Sequence, residues 1–250
     1  MTAAPTGPDT AAAAAGQDTA AAPKALLLSG VGRYADPWHP FAETSAALAS
    51  LLREAGFDVV IPADVDCALE ELAGTAETGL PELLVVNVGL PRDGQQSPGT
   101  PGATAGLVCW LGSGRPMLVS HSSATSFVDC PEWEGGLGGR WVRGTSMHPD
   151  YGPATVRIRP ASGPVVDGMQ DFTLPDERYS FLRTSPRITV HATHTHEGTE
   201  HPLMWSLLRQ PSDGRSAGRT LYDALGHDAA SYESPEHREL LGRAISWLTS

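Results

Sequence analysis

The chain has no cysteine pairs, no long apolar run and no surplus of positive charge, and each lack removes a class of protein. Cys67, Cys109 and Cys130 are its three cysteines, widely spaced and with no Cys-x-x-Cys pair. Zinc ribbons and thioredoxin-type redox motifs are thereby excluded, and free thiols fit a reducing compartment. Cys109, among Leu107, Val108, Trp110 and Leu111, reads as a small core hydrophobe. No stretch approaches the ~18 apolar residues of a membrane span. Acidic residues outnumber basic ones 29 to 17, for a net charge of -12. That balance argues against nucleic acid and anionic membranes as partners, since both need basic patches.

The first 23 residues are mostly Ala, Thr, Gly, Pro and Asp. They lack a basic start followed by an apolar run, so no secretory signal is predicted and a cytoplasmic location is expected. They also lack side chains that could pack on a core, and read as a disordered tail before one domain over residues 24–250. With 250 residues, 40% of them hydrophobic, the chain is long enough for a sizeable core. The sequence leaves the oligomeric state open and is compatible with a homo-oligomer.

The body alternates strand and helix patterns. Apolar runs at 24–29, 57–61, 82–88 and 116–120 read as buried parallel strands. Helices fall between them. The first is capped by His39, has Pro40 in its first turn and ends at Gly56. Another opens at Thr100-Pro101. The expected result is an α/β doubly wound sheet. Residues 129–152, rich in Gly, Trp and Pro, are expected to form an irregular loop over the site. Further strands are expected near 154–159, 187–193, 203–208 and 220–224, with a last helix from Ser234-Pro235. Gly30 and Gly32 do not make a dinucleotide fingerprint, because the third glycine and the ribose acid are missing.

Histidines end or follow several of these segments. His121 closes the fourth strand, His148 lies in the loop before Pro149, and His227 follows the last strand at Gly226. Strand ends of an open α/β sheet share an edge, where such sheets bind ligands. An imidazole titrates near neutral pH and can move a proton. His121 is either that proton carrier, on an exposed elbow, or a cap for a helix begun by Ser122 and Ser123, whose N-H groups could hold a sugar hydroxyl. Proline biases His148 toward extended backbone, which would project it from its loop; otherwise it is a solvated histidine. Asp228 either fixes the His227 tautomer or caps the next turn. Glu177, beside Asp176, either orients an imidazole or acts as general base, or belongs to an exposed acidic turn. Trp38, Trp133 and Trp141 lie in loops, where aromatic faces stack on sugars, whereas Trp205 and Trp247 read as core. His191, His194 and His196, with Glu197 and His201 nearby, are a second candidate cluster that could hold zinc or a similar ion.

Several segments together resemble the ThuA-like family: Val119 to Ala124, Gly138-Gly139-Arg140 with Met147-His148-Pro149, Asp176 to Tyr179, His201 to Trp205, and Ala224 to Asp228 with Tyr232. They span about residues 24–248. The resemblance implies a flavodoxin-like, class I glutamine amidotransferase-like three-layer α/β/α fold with a mainly parallel central sheet. It also implies a link to carbohydrate metabolism, including oxidised (3-keto) disaccharides. His121 stands where amidotransferases carry their cysteine, so glutamine hydrolysis is not expected. The loop before His39 and the segment 211–218 both depart from the family's usual pattern.

The expected site therefore has His121, His148, His227 and Glu177 as catalytic groups. His39, Ser122, Arg140, Trp141, Asp228 and His201 are expected to bind a small-molecule carbohydrate. No cofactor and no metal ligand are assigned. The alternatives are a sugar- or metabolite-binding module without catalysis, and a metal-dependent hydrolase built on the 191–201 cluster.

Overall fold

The computed structural model describes residue 1 and residues 21–75, 79–210 and 217–250. The expectations for most of the N-terminal tail and for 211–216 lie outside the described residues. The strands in chain order are β1 (Lys24–Ser29), β2 (Asp58–Val60), β3 (Leu83–Asn87), β4 (Met117–Ser120), β5 (Gly139–Arg140), β6 (Gly152–Ile158), β7 (Phe172–Asp176), β8 (Arg183–Thr184), β9 (Thr189–His196), β10 (Thr199–Arg209) and β11 (Gly218–Asp223). The helices are α1 (Phe41–Glu54), α2 (Val65–Gly74), α3 (Pro101–Gly112), α4 (Pro131–Leu137) and α5 (Pro235–Leu248).

Among the described residues nine strands form one sheet in the order β2-β1-β3-β4-β11-β10-β9-β6-β7, and β5 pairs with β8. From β2 through β11 all pairings are parallel. The pairings from β11 through β7 are antiparallel. β3 and β4 are buried along their whole length, as strands covered on both faces must be. β1 lies between β2 and β3, both of which follow it in the chain, so the connections lead to opposite sides of it. The crossover after it leads to α1 and the one after β3 to α3, which opens a crevice at the carboxyl ends of these strands.

α1 packs with α5, while α2, α3 and α4 pack in sequence with one another, giving the three layers. α2 and α3 approach so closely that a Cβ at Gly106 would lie 1.6 Å from the Leu69 carbonyl oxygen. Overpacking against backbone cannot be relieved by a rotamer change. Gly106→Ala is therefore expected to cost about 3 kcal/mol, read as a lowered denaturation midpoint. An unchanged midpoint would refute this helix contact.

Several expectations are corrected. His39 does not cap α1, whose N-cap is Pro40 with no side-chain bond; the imidazole turns to Asp36 instead. Residues 129–152 are not an irregular loop throughout, since Pro131 starts the short helix α4. Trp133 lies on it, buried edge-on against Phe127, and is not available to a sugar. Cys109 is exposed. Its helix buries Ala103, Gly106, Leu107 and Trp110 at helical spacing, which puts position 109 off the core face. β9 runs through His196, so the candidate histidines His191, His194 and His196 all lie on one strand. No helix among the described residues is long and apolar enough to cross a membrane.

Candidate active site

A cleft of about 1100 Å³ opens at the carboxyl edge of the parallel strands, and His39, His121, His148, Glu177 and His227 all line it or meet at its floor. Each arrives from a different crossover. His39 follows β1, His121 follows β4, His227 follows β11, and Glu177 follows β7. His148 lies between β5 and β6. The sheet edge thus gathers side chains that lie far apart in the chain.

His121 occupies the elbow with φ of 40°, a left-handed backbone that non-glycine residues adopt at some cost and that concentrates at functional turns. The elbow is buried, with His121 only 1% exposed, not exposed as its position suggested. It continues into a 3-10 turn, His121–Thr125, rather than a helix with an open N-terminus. Ser122 lines the cleft, but its hydroxyl donates to the Val88 carbonyl.

Four ligand atoms converge here. One from each of His39, His121, His227 and Glu177 lies within 4.8 Å of all the others. Glu177 Oε2 is 3.4 Å from His121 Nε2 and 3.3 Å from His227 Nδ1. A tetrahedral ion with bonds of about 2.0–2.1 Å holds neighbouring ligand atoms about 3.3–3.4 Å apart. His39 Nε2, His121 Nε2 and His227 Nδ1 are all buried without a hydrogen-bond partner. A buried polar nitrogen left so is costly, and three of them aimed at one point are what a metal ion would satisfy.

The opposite ring nitrogens of His39 and His121 are anchored as in metal-bound imidazoles. His39 Nδ1 is 2.8 Å from both Asp36 carboxylate oxygens. His121 Nδ1 is 2.7 Å from the Ala224 carbonyl and donates to it, which leaves the Nε2 lone pair free for a ligand bond. Burial lowers the His39 pKa, against the pull of Asp36. Burial alone would raise Glu177, but the neighbouring His121 and His227 imidazoles hold it well below the usual carboxylate range. The same carboxylate raises His227 in spite of its burial. A proton on His227 would therefore compete with a metal ion.

His148 stands apart from this set. Its Nε2 lies 3.5 Å from Glu177 Oε1, and its side chain is 37% exposed on the cleft wall. Tyr179 stacks between, 4.2 Å from the His121 ring and 4.7 Å from Trp141 between ring centroids. Burial raises its phenol well above the ordinary value, so it stays a neutral wall. Arg140 and Trp141 line the cleft.

Two expected binding residues are placed elsewhere. Asp228 accepts from the Ala230 amide and caps a short turn. It faces Tyr151, whose phenol burial and that carboxylate push up to about 12. His201 does not line the cleft: its Nδ1 accepts from the Phe181 amide, 3.3 Å away. The 191–196 tract is likewise dispersed. His191 bridges Ser162 and Ser206, while His194 meets the Tyr179 carbonyl. Burial lowers both to a pKa of about 4. Among the described residues the one group of three or more convergent metal-binding side chains is the one at His39, not this tract.

Beneath the site lies a network that sequence reasoning missed. Asp176, completely buried, accepts from the amides of Glu177, Gly226 and His227 and from the Ser231 hydroxyl. Ser231 meets His237 Nδ1 at 3.0 Å, and His237 Nε2 donates to Asp223 at 2.8 Å. Gly226 has φ of 97°, and a Cβ there would lie 2.5 Å from the Tyr232 hydroxyl. One carboxylate thus ties the Glu177 loop to the His227 loop. The clue in the sequence was the Asp176-Glu177 pair, in which the first member supports and the second faces the cleft.

The antiparallel extension, the elbow after β4 and the converging edge define a class I glutamine amidotransferase-like fold. The chain belongs to the ThuA family, described as trehalose utilisation, whose model matches residues 25–248; this places it in carbohydrate metabolism. It is similar to a ThuA-like protein from Parabacteroides merdae ATCC 43184, with 17% identity, TM-score 0.70, and coverage of 92% of this chain and 91% of that one. A ThuA-like protein from Bacteroides uniformis ATCC 8492 shows 16% identity and TM-score 0.68 over 94% and 95%. A glutamine amidotransferase from Thermotoga maritima shows 10% identity and TM-score 0.53 over 92% and 100%. These likenesses establish the fold. No curated protein matches the chain.

Proposed function

We propose that the protein is a cytoplasmic, metal-dependent enzyme acting on a sugar or oxidised (3-keto) sugar, without glutamine amidotransferase activity. His39, His121, His227 and Glu177 would hold a divalent first-row ion. The observation that carries this reading is the three unpartnered imidazole nitrogens around one anionic carboxylate. Imidazole and carboxylate together suit Zn²⁺ and its neighbours, with the ion chosen by geometry and supply. The ion would polarise a carbonyl or hydroxyl oxygen of the bound sugar. His148, on the cleft wall and outside the ligand set, would take or deliver the proton. Trp38 and Trp141 offer ring faces in the same cleft. Cys67, Cys109 and Cys130 are not among the residues lining it, so no thiol is placed to attack a glutamine amide.

A second reading keeps the same groups without an ion. Glu177 lies within 3.5 Å of three imidazoles, and His121, His148 and His227 would then run acid-base chemistry by themselves. Elemental analysis of protein purified without a histidine tag separates the two. The metal reading expects about one equivalent of a first-row ion, removed by chelator with a fall in Tm and restored with it. Metal-free protein whose Tm does not respond to added Zn²⁺, Mn²⁺, Co²⁺ or Ni²⁺ would leave only the second reading.

A further inference from the structure

The cleft is cationic although the chain is not. Arg92, Arg140 and Arg143 all line it, and among the described residues Asp36 and Glu177 are its lining carboxylates. Both acids are already engaged, Asp36 with His39 and Glu177 with the imidazoles. Lys24, far from this edge on β1, is the chain's single lysine, so arginines are the fixed cations that a ligand would meet. In a protein of net charge -12, three of them facing one cavity are not explained by average surface composition.

These guanidinium groups are also largely free. Among the described residues neither Arg92 nor Arg143 has a carboxylate partner; Arg92 stacks over Trp38, with 4.6 Å from its guanidinium carbon to the ring centroid. Arg140 lies 3.9 Å from Glu134, at the outer limit of an ion pair, because Arg183 holds Glu134 with two bonds of 2.6 and 2.7 Å. Arg140 therefore keeps donors to spare. Its neighbour Trp141 and the Arg92–Trp38 pair combine flat apolar faces with planar forks. A guanidinium fork matches a carboxylate or phosphate with two parallel hydrogen bonds.

We infer that the carbohydrate taken by this cleft carries an oxyanion, a carboxylate or a phosphate, held by Arg92, Arg140 and Arg143 while its ring oxygens face the histidine cluster. The inference rests on the reading of this cleft as the carbohydrate site, and it adds the charge of the substrate. Three arginines against two engaged carboxylates would also draw such a ligand in against the repulsion of the protein as a whole. A neutral disaccharide would leave the guanidinium groups solvated and unused.

The test is direct binding, followed by the fluorescence of Trp38 and Trp141 and by calorimetry at constant ionic strength. The probes are glucuronate and glucose phosphate against glucose, on wild type and on Arg143→Gln and Arg92→Gln. The anionic sugars are expected to bind about ten- to a hundredfold tighter than glucose, the scale of one charge-assisted contact. Each substitution should remove much of that preference and leave Tm unchanged, since both side chains are exposed. Whichever of glucuronate and glucose phosphate binds tighter identifies the anion. Equal affinity for glucose and both anionic sugars would overturn the inference. So would a preference that survives both substitutions but disappears with the metal, because the anion would then be a metal ligand only. Metal content measured on the same samples judges the metal centre separately. An arginine-dependent preference in protein without metal would sustain the anion site while refuting the metal.

Discussion

His121→Ala should lower turnover by about a thousandfold or more, within the range of a lost proton carrier and beyond most binding contacts, and should lower metal content with it. The imidazole is the centre of the ring contacts, with centroids 5.2 Å from His39 and 5.6 Å from His227. Its Nε2 points at the shared carboxylate, and no neighbour can replace it. His39→Ala is expected to act nearly as strongly. That result discriminates, because His39 touches Asp36 and the other histidines but lies outside the His148–Glu177 contact. Pure acid-base chemistry centred on His121 and His148 would tolerate its loss. Elemental analysis and turnover should therefore fall together in both variants. Near-wild-type rate in His121→Ala would remove this histidine from the chemistry, and full metal content in both variants would refute the ligand set. The substitution should also cost about 1–3 kcal/mol of stability, because the Ala224 carbonyl loses its buried donor.

The sheet edge was legible because its signals are local. β1, β3 and β4 are unbroken apolar runs, and a histidine just past each of β4 and β11 needs only the strand to be placed. Glu177 and His148 were legible through short motifs whose order matched a family. The support was not legible. Nothing near Asp176 in the chain announces that its acceptors serve amides 50 and 51 positions away. His237 looks like any polar residue near the start of an amphipathic helix, yet it is fully buried on Asp223. The 191–201 histidines, close in sequence, are dispersed for the converse reason. Close spacing in a strand sends alternate side chains to opposite faces, whereas histidines from three separate crossovers meet in space. His39 was misassigned as a cap because its Asp36 partner, three residues earlier, competes better for the ring than the helix does.

Asp223→Asn is expected to destabilise the fold by about 3–5 kcal/mol, the scale of breaking a buried ion pair from one side. Asp223 and His237 are 1% and 0% exposed and 2.8 Å apart. Their chain of bonds continues through Ser231 to Asp176. Burial alone would lower the His237 pKa, but the facing carboxylate raises it above the ordinary value of 6.5. Both ring nitrogens then donate, Nε2 to Asp223 and Nδ1 to Ser231. The sign for stability follows from linkage. A histidine whose folded pKa lies above its unfolded one binds its proton more tightly when folded. Its contribution is fully present below about pH 6.5 and is lost as pH rises through the folded value. Wild-type stability against denaturant, relative to His237→Gln, should therefore be greatest in mildly acidic solution and should shrink through the neutral and alkaline range. The difference is read from denaturation midpoints of the two proteins at matched pH. A difference that grows with pH would mean that His237 is neutral in the fold. Because Asp176 carries the Glu177 and His227 amides, the same alkaline loss should loosen both loops of the cleft before global unfolding, seen as faster amide exchange at Gly226 and His227.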